Sequence, residues 1–168
     1  MITVLMDASS AILLYKTDLF LPCTRAFSLV MAKEVFREVT VNGYPGARFF
    51  RTLKARIKIQ APKNNEVMNI GKMDRGEQET LALFTDREAS FIIMDDGKGA
   101  KYCYARKIPF INALLVPKIF WYSGRMDKET YMEKTEHLIK LGRYSSNIIN
   151  KAEALSQKDL ARFIPNEL

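Results

Sequence analysis

The sequence predicts an α/β fold, a three-layer α/β/α sandwich around a mostly parallel sheet of about five strands, with further helices at the carboxyl end. Three observations carry that expectation. Short apolar runs alternate with helix-patterned segments along residues 1–120, the arrangement of β-α units that build parallel sheets. Two of the runs, Ile2 to Met6 and Phe91 to Met94, are apolar throughout, as strands covered on both faces are. Both end on acids, Asp7 in one case and the pair Asp95 and Asp96 in the other, and open α/β sheets bind ligands at the carboxyl edge of their strands.

In chain order, ITVLM is the first expected strand. Ser9 or Ser10 is expected to cap a short helix, AILLYK, that ends near Asp18, with Pro22 in the connection. A second strand is expected over Phe27 to Met31. A helix follows from about Ala32 to Thr40, closed by the turn signals Asn42-Gly43 and Pro45-Gly46. From Arg48 to Lys63 there are six basic residues and no acid. Arg48, Arg51, Lys54 and Lys58 follow helical spacing beside a stripe of Phe49 or Phe50, Leu53 and Ile57, which predicts a basic amphipathic helix.

Ala61-Pro62 and Asn64-Asn65 mark a loop before a short segment, Val67 to Ile70, and then a helix headed by Asp74. After the Phe91 to Met94 strand, Gly97 and Gly99 mark a loop, Ala100 to Lys107 reads as a helix and Pro109 to Ile111 as the last strand. The tail is helical in pattern over roughly Lys128 to Leu141 and Ser145 to Leu155. A short piece started by the capping pair Ser156 and Asp159 ends near Pro165. Two units are expected: a domain over residues 1–120, and a helical extension over 121–168 packed on that domain or on a second subunit.

The totals fit one core. The chain has 168 residues, of which 48% are hydrophobic, enough for a single domain. A net charge of +7 favours an anionic partner, nucleic acid before an anionic membrane surface. Cys23 and Cys103 form neither a CxxC nor a zinc spacing, which favours free thiols. No basic leader precedes Asp7, and INALLVPKIFWY is cut by Pro117 and Lys118, so a cytoplasmic protein without a membrane span is expected. His137 is the only histidine and falls in the tail, which argues against histidine catalysis and for a surface or half-buried structural side chain.

The acids are the chemistry. Glu77, Leu81 and Phe84 share one helix face while Glu79 lies nearly opposite. Glu77 therefore either points inward, where a carboxylate needs a cation or donors, or simply completes a capping box with Asp74. Asp95-Asp96-Gly97 reads as a turn or as a ligand edge. If the two acid-ended strands are parallel neighbours, their carboxylates converge and Glu77 can reach them, which makes a divalent-cation site. Glu34 and Glu38 lie one turn apart and read as solvated acids when taken alone. The basic stretch is either a solvated face or a phosphate-binding surface beside the acids.

With these residues in view, the first 120 residues resemble PIN-domain nucleases: an apolar strand ending in Asp7 with Ser9 after it, then VMAKEVFREV, then GEQETLAL, then IIMDD. The resemblance implies that Asp7, Glu38, Glu77 and Asp95 or Asp96 form the metal-binding and catalytic set, with Mg²⁺ or Mn²⁺ as cofactor. It implies a metal-dependent endoribonuclease, commonly the toxin of a toxin-antitoxin pair, in the branch with a GE-rich helix and an aspartate pair. The run Gly97-Lys98-Gly99-Ala100-Lys101 and the Asn112-Ala113 step depart from that branch. The expected partners are RNA, an antitoxin protein and a second copy of the chain. Ser9, Arg48, Arg51, Lys54, Lys58, Lys98 and Lys101 are the candidate RNA contacts. Two alternatives stand beside the enzyme: a catalytically weak RNA-binding module, and a receiver-like phosphoacceptor domain.

Overall fold

Five strands form one sheet: β1 (Thr3–Met6), β2 (Ser28–Ala32), β3 (Lys58–Gln60), β4 (Phe91–Ile93) and β5 (Phe110–Ile111). Their spatial order is β3-β2-β1-β4-β5, and every neighbouring pair is parallel. The computed structural model describes residues 1–63, 73–86 and 88–165. Connecting the strands are α1 (Ala8–Lys16), α2 (Phe20–Ala26), α3 (Lys33–Val39), α4 (Ala47–Thr52), α5 (Arg75–Thr85) and α6 (Gly97–Ala105). After β5 come α7 (Val116–Tyr122), α8 (Lys128–Gly142), α9 (Ser146–Ala154) and α10 (Gln157–Leu160).

The chain moves outward from β1 to β2 to β3, then crosses back through α5 to β4 and on to β5. Right-handed crossovers in the two opposite directions place their helices on opposite faces, which gives the three layers. The central strands are covered on both faces: Val4, Leu5, Met6, Phe91, Ile92 and Ile93 are all buried. That is why both read as unbroken apolar runs. The register Met6↔Ile93 brings the ends of β1 and β4 level, and the Asp7 N–H donates to Ile93 O at 3.1 Å.

Expected elements differ in places. The basic stretch is not one helix: α4 stops at Thr52, a 3-10 turn follows over Lys54–Arg56, and Lys58–Gln60 is the third strand. Phe49 and Phe50 dock α4 against Tyr15 and Phe20, with ring centroids 5.0 to 5.9 Å apart. Beyond them Ile57 is buried and Ile59 half-buried beside β2. A β-branched pair at i and i+2 on a sheet edge outweighs the helical spacing of the lysines. Pro22 lies inside α2 rather than in a connection, at the third residue of its first turn, where a missing N–H costs no intrahelical bond. Val67 to Ile70 lies outside the described residues.

The tail helices form where expected, and they rest on the sheet domain. α8 packs on α7 and touches α1, and Leu138 is buried. Lys118 is buried in α7, and its Nζ donates to Ala152 O at 2.9 Å and Glu153 O at 2.7 Å. A cation thus closes the carbonyl end of α9, the favourable end of that helix dipole. Phe163 packs edge-on against Phe91 of β4 at 5.0 Å. Among the described residues, no helix is long and apolar enough to cross a membrane. Cys23 and Cys103 are both buried free thiols, and His137 is exposed on α8.

Candidate active site

Asp7 leaves β1 in extended geometry and caps α1 itself, with Oδ1 accepting the Ser10 N–H at 2.7 Å. The serines expected in that role do other work. An aspartate at the strand end already stands three residues before a free helical N–H, which is what a cap requires. Its Oδ2 accepts the N–H groups of Asp95 at 3.1 Å and Asp96 at 3.2 Å. Ser10 is buried and its hydroxyl donates to Asp95 Oδ2 at 2.7 Å. Ser9 is exposed and lines the rim of the acid cavity.

The two aspartates after β4 are not equivalent. Asp95 accepts on both oxygens: Oδ2 from Ser10 and from the Ala113 N–H at 2.8 Å, and Oδ1 from the Tyr144 hydroxyl in a short bond. Asp96 caps α6, with Oδ1 accepting the N–H groups of Lys98 at 2.8 Å and Gly99 at 2.9 Å. Gly97 and Gly99, expected in a loop, are the first turn of that helix. The Asp96 carboxyl also meets the Glu77 side chain in a hydrogen bond.

Both readings of Glu77 hold together. Asp74 Oδ1 accepts the Glu77 N–H at 2.9 Å and Glu77 Oε2 accepts the Asp74 N–H at 3.2 Å, a complete capping box. Glu77 is nonetheless buried and faces the acids. Glu79, expected on the opposite face, is buried as well. Its Oε2 accepts the Glu34 N–H at 3.0 Å, which closes the amino end of α3, and its Oε1 pairs with Arg75 at 3.3 Å. Gly76 lets α5 approach α3, because a Cβ there would stand 3.2 Å from Val35 Cγ2 and 3.5 Å from Glu38 Oε2. Glu38 is half-buried at this contact rather than solvated.

Asp7, Ser9, Glu38, Asp74, Gly76 and Glu77 line one cavity of about 20 Å³, room for a single water or ion. Burial, then the charge of Asp95, pushes the Asp7 carboxyl up to about 7 against the donors Ser10 and Asp96. Burial, then the Asp96 side chain and the charge of Asp74, pushes Glu77 up to about 8. Glu38 is raised by burial and by Asp74 and Glu34. Burial also raises Asp95, against its bonds from Tyr144, Ser10 and Ala113. Asp96 is the exception: burial works against it, yet the Gly99 N–H, the Glu77 side chain and Lys98 hold it below the usual range.

Crowded carboxyls of this kind need positive charge or protons to coexist. Their donor set is oxygen only, which suits Mg²⁺ or Mn²⁺ rather than zinc or copper. Among the described residues, no three His, Cys, Asp or Glu side chains are already drawn together as a ligand set. The acids fit a hard divalent ion by donor chemistry, and Asp7, Glu38, Asp74 and Glu77 line the cavity.

The candidate RNA contacts do not form one stripe. Arg48 is exposed on α4. Arg51 gives its guanidinium to Thr40 O and Asn42, and Lys58 on β3 pairs with Glu88 at 3.3 Å. Lys54 follows α4, Lys98 lies in the first turn of α6, and Lys101 is exposed on the same helix. Closer to the acids are two arginines the sequence reading passed over. Arg37 and Arg75 line a groove of about 430 Å³ together with Glu38, Asp74 and the exposed Tyr44. They also line a second groove that includes Lys33 and Lys54. Each stands one residue from an acid of the cavity, in Arg37-Glu38 and Asp74-Arg75, which was the available signal. Tyr144 was the other omission, since nothing in its spacing points from the tail to β4.

The sheet order separates the fold from receiver domains, whose doubly wound order is 2-1-3-4-5. Residues 3–156 match the family model described as PIN domain. No curated protein and no solved structure matches the chain. PIN domains are generally nucleases that act on nucleic acid with divalent metals, and a strand-edge acid cavity in an all-parallel sheet is in keeping with that chemistry. With the match running from β1 into the tail helices, this chain belongs to the PIN-domain family.

Proposed function

We propose that the chain is a divalent-metal-dependent endoribonuclease that hydrolyses RNA phosphodiester bonds. The observation that carries the reading is the one cavity lined by Asp7 from the end of β1, Glu38 from α3 and Glu77 from α5, with Asp96 hydrogen-bonded to Glu77. Asp7, Glu77 and Asp96 would hold Mg²⁺ or Mn²⁺, with Glu38 beside them. A divalent ion there supplies charge neutralisation at the scissile phosphate and acidifies water. Asp96 is favoured over Asp95 as a ligand because both Asp95 oxygens are committed to donors of the chain.

The chain's own groups account for the remaining work. Glu77, pushed up to about 8 in the metal-free protein, would give up its proton on taking an ion as a ligand, so loading the site releases a proton near neutral pH. Arg37 and Arg75 flank the cavity and bind backbone phosphates, offsetting the repulsion between a polyanion and an acid cluster. Lys54 extends that path, Lys98 and Lys101 on α6 add positive charge after the aspartate pair, and Ser9 touches the substrate at the rim. Arg48, on α4, is not among the residues that line either groove. Arg51 and Lys58, engaged within the chain, are left out of the contact set. A toxin role, an antitoxin and a dimer stand outside this proposal.

The test is cleavage of total cellular RNA by purified protein in Mg²⁺ or Mn²⁺, with EDTA and Asp7→Asn as controls. Discrete products that vanish in both controls support the enzyme. RNA binding with no products in either metal would leave only a binding module, and cutting that survives Asp7→Asn would remove the assignment.

A further inference from the structure

We infer that Tyr144 is a positioning residue for the acid cluster, reaching from the tail to hold the Asp95 carboxyl and, through it, Asp7. The inference rests on the ribonuclease reading above and adds the tail to its machinery.

The contact is built rather than incidental. α8 ends at Gly142, and Arg143 takes a left-handed conformation, φ 51° and ψ 38°, that turns the chain back toward the sheet. The Tyr144 ring lies directly over Gly142, where a Cβ would stand 2.3 Å from Cε2; only glycine leaves room for the ring. The hydroxyl then donates to Asp95 Oδ1.

Three segments thus converge on one carboxyl: Ser10 from α1, Ala113 after β5, and Tyr144 after α8. Asp95 in turn fixes Asp7. The backbone N–H groups of Asp95 and Asp96 both donate to Asp7 Oδ2, and Ser10 bridges the two acids, with its N–H on Asp7 and its hydroxyl on Asp95. Ser10 is the link that passes the position of one carboxyl to the other: a shift of the Asp95 carboxyl pulls on the Ser10 hydroxyl, and the same residue carries the N–H that orients Asp7.

The tail does not need this bond to dock. Lys118, Leu138 and Phe163 already tie it to the domain. Burying a phenol against a carboxyl costs free energy that an apolar contact would not, so its place at the acid cluster points to orientation. Partners that orient metal ligands typically change metal affinity or activity about 10- to 100-fold when removed.

The experiment uses Tyr144→Phe in the full chain, which keeps the ring over Gly142 and removes one oxygen, and Ser10→Ala, which removes the other side-chain donor to Asp95. Mn²⁺ affinity is read by calorimetry, and amide hydrogen exchange is read in EDTA. Each variant is expected to bind Mn²⁺ about tenfold more weakly, with faster exchange confined to the amides of Ser10, Asp95, Asp96 and Ala113. Unchanged affinity and exchange in a folded Tyr144→Phe protein would overturn the inference. So would accelerated exchange spread over the whole core, which marks a structural role only. Wild-type protein that takes up no Mn²⁺ would instead overturn the ribonuclease reading on which the inference depends.

Discussion

Glu77 and Glu79 stand two residues apart on one helix, and both are buried, yet their surroundings are opposites. Glu79 is met by donors: the Glu34 N–H at the start of α3 and the Arg75 guanidinium. Glu77 receives one backbone N–H from Asp74 and otherwise faces Asp96 and Asp74, which push its carboxyl up to about 8 after burial has done the larger part. Burial alone therefore does not mark a functional acid. What separates them is whether the chain supplies the positive partner, as it does for Glu79, or leaves it to come from outside.

The largest expected effect follows at once. Glu77→Gln should lower RNA cleavage by about 10²-fold or more, at least the scale of losing a residue that supports a bound metal, while Glu79→Gln, at a side chain that faces its own donors, should leave turnover within a factor of about two by the same comparison. Initial rates at saturating Mn²⁺ decide it, and equal losses in the two variants would erase the distinction.

Next is the pH dependence of the metal-free protein. The folded-state values of Asp7 and Glu77, about 7 and about 8, lie above the ordinary carboxyl values of 3.8 and 4.5. Between those limits the native state holds more protons than the unfolded chain, so stability falls as pH rises. In EDTA the melting temperature should therefore drop from pH 5 to pH 8, and Mn²⁺ should restore more of it at pH 8 than at pH 5. A melting temperature that climbs across the same range in EDTA would show that the acids are not crowded as described.

Glu79→Gln should report on stability instead. It weakens a charge-assisted cap on α3 and breaks the pair with Arg75, at an expected cost of about 1 kcal/mol, measured by urea unfolding. Glu77→Gln should move the other way in EDTA at pH 8, since it removes a repelled charge and keeps an oxygen to accept the Asp74 N–H.

Much of this was legible in the sequence. Unbroken apolar runs ending in acid gave away the central strands, because doubly covered strands carry no polar alternation, and the acids at their ends had to share an edge once the strands were parallel neighbours. The capping pairs at Asp74 and Ser156 were readable because a cap is a local bond between near residues. What failed was non-local. The lysine spacing after Arg48 looks helical, but packing of Ile57 and Ile59 at the sheet edge decides that segment. Periodicity places Glu79 on the face opposite Glu77, and its burial was not legible because its partner, the Glu34 N–H, lies 45 positions away. Tyr144 reaches Asp95 over 49 positions, through a turn that only Gly142 and the left-handed Arg143 make possible.

The smallest expected effect bears on Arg75, which belongs to both halves of the comparison. Its guanidinium pairs with Glu79, and it also lines the groove beside Glu38 and Asp74. The pair is mostly exposed on the arginine side, at 68%, so Arg75→Ala should cost at most about 1 kcal/mol of stability. If the groove carries RNA, the same change should remove one phosphate contact, raising KM with little change in kcat. The slope of log affinity against log salt should then become shallower by about one. Arg48→Ala, on a helix outside the groove, serves as the matched loss of one positive charge and should alter that slope less. Equal slopes for the two variants would mean that net charge, rather than the groove, draws the RNA in.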